Sequence, residues 1–425
     1  MFWRKKKSNA TKPKSEQRTQ QHEPKPSSRV FEGDRTLWII FTVLIVISIL
    51  VVYSSTAKMT YDVGSNMSLF DALQKQIMYV MMAIMLIFVI HKIDYKRYMR
   101  WSFILYLFFV GCTIATYFVG VNLNDSSRWL KLGFITFQPS EGLKITTILM
   151  LARAMESRQA IINNIKIIPT TLKIKSKEFK EIFWNNTVPL IGPVIVSCGV
   201  ILPAHTSSAA IVFLTSLIML YIGRVHLKEI MKFFMVVFSA GILGIGTLAL
   251  MDAGRIDTAK NRITKWTHEW THESTAKSIN DISDTQRALI AIREGGLVGE
   301  GAGQSTSRVL VTHPESDYAY AFFVSEYGII AGLILMLLYI WIFFRAMDIG
   351  QQCRTPFPTL MTLGLGLLIT GQALLHILVQ VNFMPETGQT LPFISRGGSS
   401  LLFSTLALGM IISVSRTNHN NKIGR

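Results

Sequence analysis

Three groups of polar residues interrupt otherwise apolar sequence. The first runs from Ser126 to Lys144, SSRWLKLGFITFQPSEGLK. Arg128 and Trp129 fall where a loop meets an apolar stretch that Gln138, Pro139, Ser140, Glu141 and Lys144 then open. Pro139 suits the first turn of a helix. Glu141 and Lys144, three apart, share one helical face. Ionisable residues at the mouth of a span are costly unless paired or facing a cavity. The two therefore either neutralise each other or serve a site. The second group holds Gly295, Gly296, Gly299, Gly301 and Gly303, then Glu315 and Asp317 before the next apolar block, with Glu326 inside it. The glycines break regular structure and permit close backbone approach. Their N–H groups either hold phosphate or belong to a re-entering loop. Asp317 is a base, a metal ligand or an ordinary interfacial carboxylate. The third group is PETGQTLPFISRGGSS, Pro385 to Ser400. Pro385, Gly388, Pro392, Gly397 and Gly398 oppose a regular helix, and broken backbone at membrane depth must be buried in protein or line a cavity. Arg396 adds a permanent cation.

These residues need elements to carry them, and the apolar pattern supplies ten. Half of the 425 residues are hydrophobic and only 16% are charged, against about 25% in soluble domains. Blocks long enough to span a bilayer cover 37–55, 76–92, 101–121, 139–155, 187–204, 206–223, 231–251, 319–345, 359–381 and 398–414. This predicts an all-α polytopic membrane protein of about ten helices, and excludes a soluble enzyme, a disordered chain and a disulfide scaffold. Of the 43 Lys and Arg, 29 fall on the side of the termini when both ends are cytoplasmic, as the positive-inside rule requires. The chain then divides into a disordered basic cytoplasmic tail at 1–36, a membrane domain at 37–414 with a large extracytoplasmic loop at 252–318, and a cytoplasmic tail at 415–425. All three polar groups face outward together, the strongest sign of one site. A basic and carboxylate cavity there suits an anionic lipid headgroup. The net charge of +17 is explained by this asymmetry rather than by nucleic acid. Cys112, Cys198 and Cys353 lie far apart and imply neither disulfide nor zinc. The tandem KWTHEWTHE places Trp266 and Trp270 on one helical stripe and His268 and His272 on another, which predicts a helix lying on the membrane surface.

Four stretches, RWLKLGFITFQPSE, GGLVGEGAGQS, HPESDYAYAFFVSEYG and PETGQTLPFISRGGSS, resemble those of the SEDS family of FtsW and RodA glycosyltransferases. The similarity covers residues 37–414. The resemblance implies an enzyme that polymerises lipid II into glycan strands at the outer face of the bacterial cytoplasmic (inner) membrane. It implies a class B penicillin-binding protein, a transpeptidase, as partner, alongside other division proteins. It assigns catalysis to Asp317; a departing lipid pyrophosphate would be stabilised by the cations Arg128, Lys144 and Arg396, and Gln304, Ser305, Gly397, Gly398 and Ser399 of the matching stretches complete the expected lipid II site. Glu141, Pro385, Gly388 and Pro392 would shape the cavity. A divalent cation, Mg or Mn, is expected, and no organic cofactor. The chain departs from the family where PAHTSSA puts His205 near the place of an acid, and where Arg396 replaces a residue often aromatic. The long basic tail leans toward FtsW and septal division over RodA-like elongation. A lipid II flippase is the competing reading. It would distribute charge along a path through the membrane, whereas here charge gathers on one face.

Overall fold

The computed structural model describes residues 31–56, 69–123, 126–132, 135–165, 183–250, 264, 266–267, 283–305 and 316–423. Helices occupy all ten expected stretches: α1 (Arg35–Thr56), α2 (Leu69–Ile90), α3 (Tyr95–Val119), α4 (Pro139–Glu156), α5 (Val188–Ile201), α6 (Thr206–Ile222), α7 (Leu227–Leu250), α9 (Ala319–Gln351), α10 (Pro356–Gln380) and α11 (Gly398–Ile423). A further helix, α8 (Asp284–Gly295), stands between α7 and α9. Among the described residues, seven helices are long and apolar enough to cross a membrane. Helix α4 is not one of them, because Glu141, Lys144, Arg153 and Glu156 interrupt it. It is enclosed by protein instead, with nearly every residue from Pro139 to Met155 buried.

Helix ends follow capping chemistry rather than the limits of the apolar runs. Asp94 accepts the Lys96 amide at 3.1 Å, starting α3 earlier than hydropathy suggests. Helix α11 runs past residue 414, so the expected tail at 415–425 is helical to Ile423. Its polar extension is held by Arg416, which donates to the Lys92 carbonyl at 2.7 Å and pairs with Glu32 at 3.4 Å. The expected loop at 121–137 contains three short antiparallel strands, β1 (Val121–Leu123), β2 (Ser126–Leu132) and β3 (Ile135–Phe137), in the order β1-β2-β3. Residues 1–30 of the basic tail lie outside the described residues.

Helices α10 and α11 form the hub, each 72% buried over its apolar window, while α3 at 22% is rim. The rim helices present Ile104, Phe108, Phe118 and Trp341 outward, as lipid-facing surfaces do. Helix α9 is two pieces joined at Gly328, whose φ of 82° and ψ of 168° are non-helical. Ala319 to Glu326 are all buried, whereas Ile330, Leu333, Ile334 and Leu337 beyond the kink are exposed.

Candidate functional site

The buried half of α9 begins at the second polar group. Asp317 is half-buried. Its carbonyl accepts from Gln380 Nε2 at 3.1 Å. Tyr318 is buried and donates to Glu386 Oε1 at 3.1 Å. Burial, with the Glu386 carboxylate beside it, pushes the Tyr318 hydroxyl above the ordinary phenol range, so it stays a donor. Ala288 and Ala291 of α8 pack against Tyr318 and Ala321. A capping box of Ser283 and Gln286 starts α8.

The third polar group is non-helical up to Gly397, and α11 starts at Gly398. Ser395 Oγ donates to the Ser316 carbonyl at 2.7 Å and accepts the Leu391 amide at 2.8 Å. Half-buried Arg396 is therefore one residue from a direct contact with the segment carrying Asp317. Pro392 is buried and its carbonyl accepts from Tyr339. Ser399 is buried in the first turn of α11, and its Oγ has no hydrogen-bond partner among the described residues. The first amides of a helix have no intrahelical acceptor, so this end of α11 suits an anion.

The first polar group joins the same network. Lys144 is fully enclosed, 2.8 Å from Glu141 Oε1 and 2.9 Å from Gln372 Oε1. Gln372 donates onward to the Thr390 carbonyl at 3.2 Å, and Thr390 to Ser400 Oγ at 2.8 Å. The i, i+3 pair is thus a buried ion pair whose cation reaches the third group through one glutamine. Arg128 stands in β2. Three groups far apart in sequence meet at one end of the bundle.

The glycine run does not serve as a phosphate cradle. The amides of Glu300 and Gly301 donate to the carbonyls of Ser325 and Glu326, both at 3.0 Å, and the Ile329 amide donates to Gly296 O at 2.9 Å. Gly303 N donates to Glu326 Oε1 at 2.9 Å. These bonds satisfy backbone groups that the kink at Gly328 takes out of the helical ladder. A Cβ at Gly299 would lie 2.2 Å from Glu326 O, and one at Gly328 would lie 2.3 Å from Leu297 O. Gln304 is exposed on this turn, and Ser305 is buried, with its hydroxyl 2.9 Å from that of Ser325. Ser305 thus packs onto α9. Gly398 is also close-packed, because a Cβ there would lie 2.2 Å from the Tyr79 ring. Glu315, His268, Trp270 and His272 lie outside the described residues. Trp266 donates to the Asn382 carbonyl at 3.3 Å.

Residues 34–420 match the cell cycle protein family of FtsW, RodA and SpoVE. The chain belongs to this family. It is 27% identical to stage V sporulation protein E of Bacillus subtilis over 387 residues, covering 90% of this chain and 97% of the relative. It is 26% identical to the probable peptidoglycan glycosyltransferase FtsW of Coxiella burnetii over 391 residues, covering 90% and 96%. A chain of a solved peptidoglycan synthase complex superposes with a TM-score of 0.66 at 17% identity, over 91% of this chain and 98% of that one. RodA of Thermus thermophilus superposes at 0.59 with 18% identity over the same shares. These two likenesses show the fold.

His205, at the departure from the family pattern, is the N-cap of α6. Its Nδ1 accepts the Ser208 amide at 3.2 Å, a role an aspartate also fills. It meets Gln389 Nε2 at 2.7 Å, and Ser207 donates to the Thr387 carbonyl at 3.1 Å. The loop carrying Pro385 and Gly388, the latter at a φ of 59°, is thereby fixed to α6. Sequence reasoning overlooked Gln372, His376 and Gln380. A legible sign existed, since they recur every fourth residue in an apolar helix. Buried Glu326, which also accepts from Ser54, was noticed but not its task.

Proposed function

We propose that this protein is a peptidoglycan glycosyltransferase that polymerises lipid II at the outer face of the bacterial cytoplasmic membrane, at the division septum, beside a class B penicillin-binding protein. Relatives named FtsW and a neighbour from a complex described as coordinating polymerization and crosslinking support the reading. The observation that carries it is the Ser395–Ser316 contact, which brings the Arg396 loop to the segment bearing Asp317.

The reaction joins the 4-hydroxyl oxygen of one sugar to the anomeric carbon of another, while the bond to the lipid pyrophosphate breaks. Asp317 takes the hydroxyl proton, help worth about 10²–10⁴-fold. The departing pyrophosphate gathers charge near Arg396 and the first turn of α11, where fixed positive dipoles and a guanidinium stabilise it. Gly397 gives the lipid-borne phosphate close access to backbone. Enclosed Lys144 acts at one remove, holding the loop through Gln372. Among the described residues there is no group of three or more His, Cys, Asp or Glu able to hold a metal. Magnesium or manganese nevertheless fits one carboxylate plus substrate phosphate oxygens, and Asp317 would be that carboxylate. Bound there, the ion would neutralise charge on the pyrophosphate, and its Lewis-acid help would replace the base role of Asp317.

Asp317→Asn keeps shape and removes basicity. The expected result is normal membrane yield, a near wild-type Tm, and glycan polymer from purified lipid II reduced by about 10²-fold or more. Undiminished polymer would overturn the assignment. Orientation is tested by Thr271→Cys, which should react with an impermeant thiol reagent in intact cells. Labelling only after permeabilisation would invert the topology.

A further inference from the structure

Helix α10 carries a buried stripe of Gln372, His376 and Gln380, one residue in every four. The first belongs to the Lys144 link. The other two form a separate strap. Gln380 Oε1 accepts the Ala321 amide, and Gln380 Nε2 donates to the Asp317 carbonyl. Tyr318, at the cap position of α9, makes no side-chain cap bond. Gln380 therefore supplies, from a neighbouring helix, the acceptor that an N-cap side chain normally provides. Its second Nε2 hydrogen goes to His376 Nε2. His376 must then carry its proton on Nδ1, which donates to the Gln389 carbonyl at 2.7 Å. The Gln389 side chain continues to His205, Ser207 and Ser208 on α6. Only one orientation of the Gln380 amide and one tautomer of His376 satisfy every bond.

A packing role at these positions would be met by leucine or methionine. Burying an amide and an imidazole is costly unless each polar atom is bonded, and here the bonds converge on the main chain either side of Tyr318. We propose that Gln380, braced by His376, is a positioning residue for Asp317, setting where its carboxylate stands relative to the loop of Gly388 to Arg396. The inference rests on Asp317 being the acting carboxylate. Neither strap residue is assigned a contact with substrate. The strap acts by geometry, and a displacement of about 1 Å at a reacting group lowers a rate by up to about 10²-fold.

The test compares Gln380→Met and His376→Leu in full-length protein, using initial polymerisation rates across a range of lipid II concentrations. Gln380→Met should lower kcat by about 10-fold or more with KM within about twofold. His376→Leu, which leaves the Gln380 bonds to α9 intact, should give a smaller fall of the same kind. If Gln380→Met does not accumulate in the membrane, His376→Leu carries the comparison. The decisive arm repeats each variant in the Asp317→Asn background, where it should cause no further loss. Wild-type kcat in both variants would overturn the proposal. So would the same fold-loss in the wild-type and Asp317→Asn backgrounds, because that describes general loosening of the bundle. An active Asp317→Asn protein would instead sink the reading of Asp317 itself, and the single-variant rates would tell the two failures apart.

Discussion

Two glycine-rich segments reach the same end of the bundle and do opposite work. In the run from Gly295 to Gly303, missing side chains at Gly295 and Gly299 let backbone lie against the backbone of α9, and the amides of Glu300 and Gly301 are used up repairing its kink. In the segment from Pro385 to Gly398, Gly388 has nothing within 4 Å of a would-be Cβ, and Gly397 has only ordinary contacts. There Gly397, unlike close-packed Gly398, leaves space open beside Arg396 and the start of a helix. Both segments are glycine-rich loops next to a span, so glycine content alone does not separate a splint from a binding surface. The partners of the neighbouring N–H groups do.

The difference can be broken most forcefully at Gly299. A Cβ there would sit 2.2 Å from the Glu326 carbonyl, at a φ of 90°. Gly299→Ala should lower stability by about 4 kcal/mol, at the exceptional end for one substitution. Thermal melts in detergent and membrane yield would register it, and an unchanged Tm would mean the splint is not needed. Next in size is Lys144→Met, which strands Glu141 and removes the donor to Gln372 Oε1. Removing one partner of a buried pair should cost roughly 3 kcal/mol. The double variant Glu141→Gln with Lys144→Met should recover most of that loss, and no recovery would argue against a pair. The smallest change in stability is expected at Gly397→Ala, within about 0.5 kcal/mol, since the added carbon lies 3.5 Å from Ser400 Cβ and 3.8 Å from Thr390 Cγ2. Polymer yield should nonetheless fall measurably if lipid-borne phosphate approaches this backbone. Full activity there would make the open segment structural too. Gly398 is the wrong place for this test, because larger residues collide with Tyr79.

What the sequence made legible was local. Helices follow from apolar runs, and the Glu141–Lys144 pair from helical spacing, and both are present in the structure. The meeting of the three polar groups could be argued from parity of spans, but not the atoms that join them. Gln372 reaches both Lys144 and Thr390, and nothing in linear order indicates that. The glycine run was ambiguous because permissive φ says that something comes close, without saying whether it is a ligand or a neighbouring helix. The kink at Gly328 was hidden for the same reason, since an isolated glycine in an apolar stretch is usually tolerated within a helix. His205 looked like a lost acid because capping is a property of position, which histidine fulfils with a ring nitrogen.

The break at Gly328 also sets a depth. From Ile329 to Gln351, at 1.5 Å per residue, α9 measures about 34 Å, while the hydrocarbon layer is about 30 Å thick. The lower piece alone is long enough to cross that layer, and the proposed function then puts Asp317 and the short upper piece at the level of lipid headgroups. On that reading a diphosphate resting there would reach the carboxylate while its hydrocarbon tail remained in the leaflet. Supply and clearance then become two-dimensional. Fresh carriers arrive and spent ones leave by sideways diffusion, so turnover should follow the surface density of carrier in the leaflet rather than its bulk concentration.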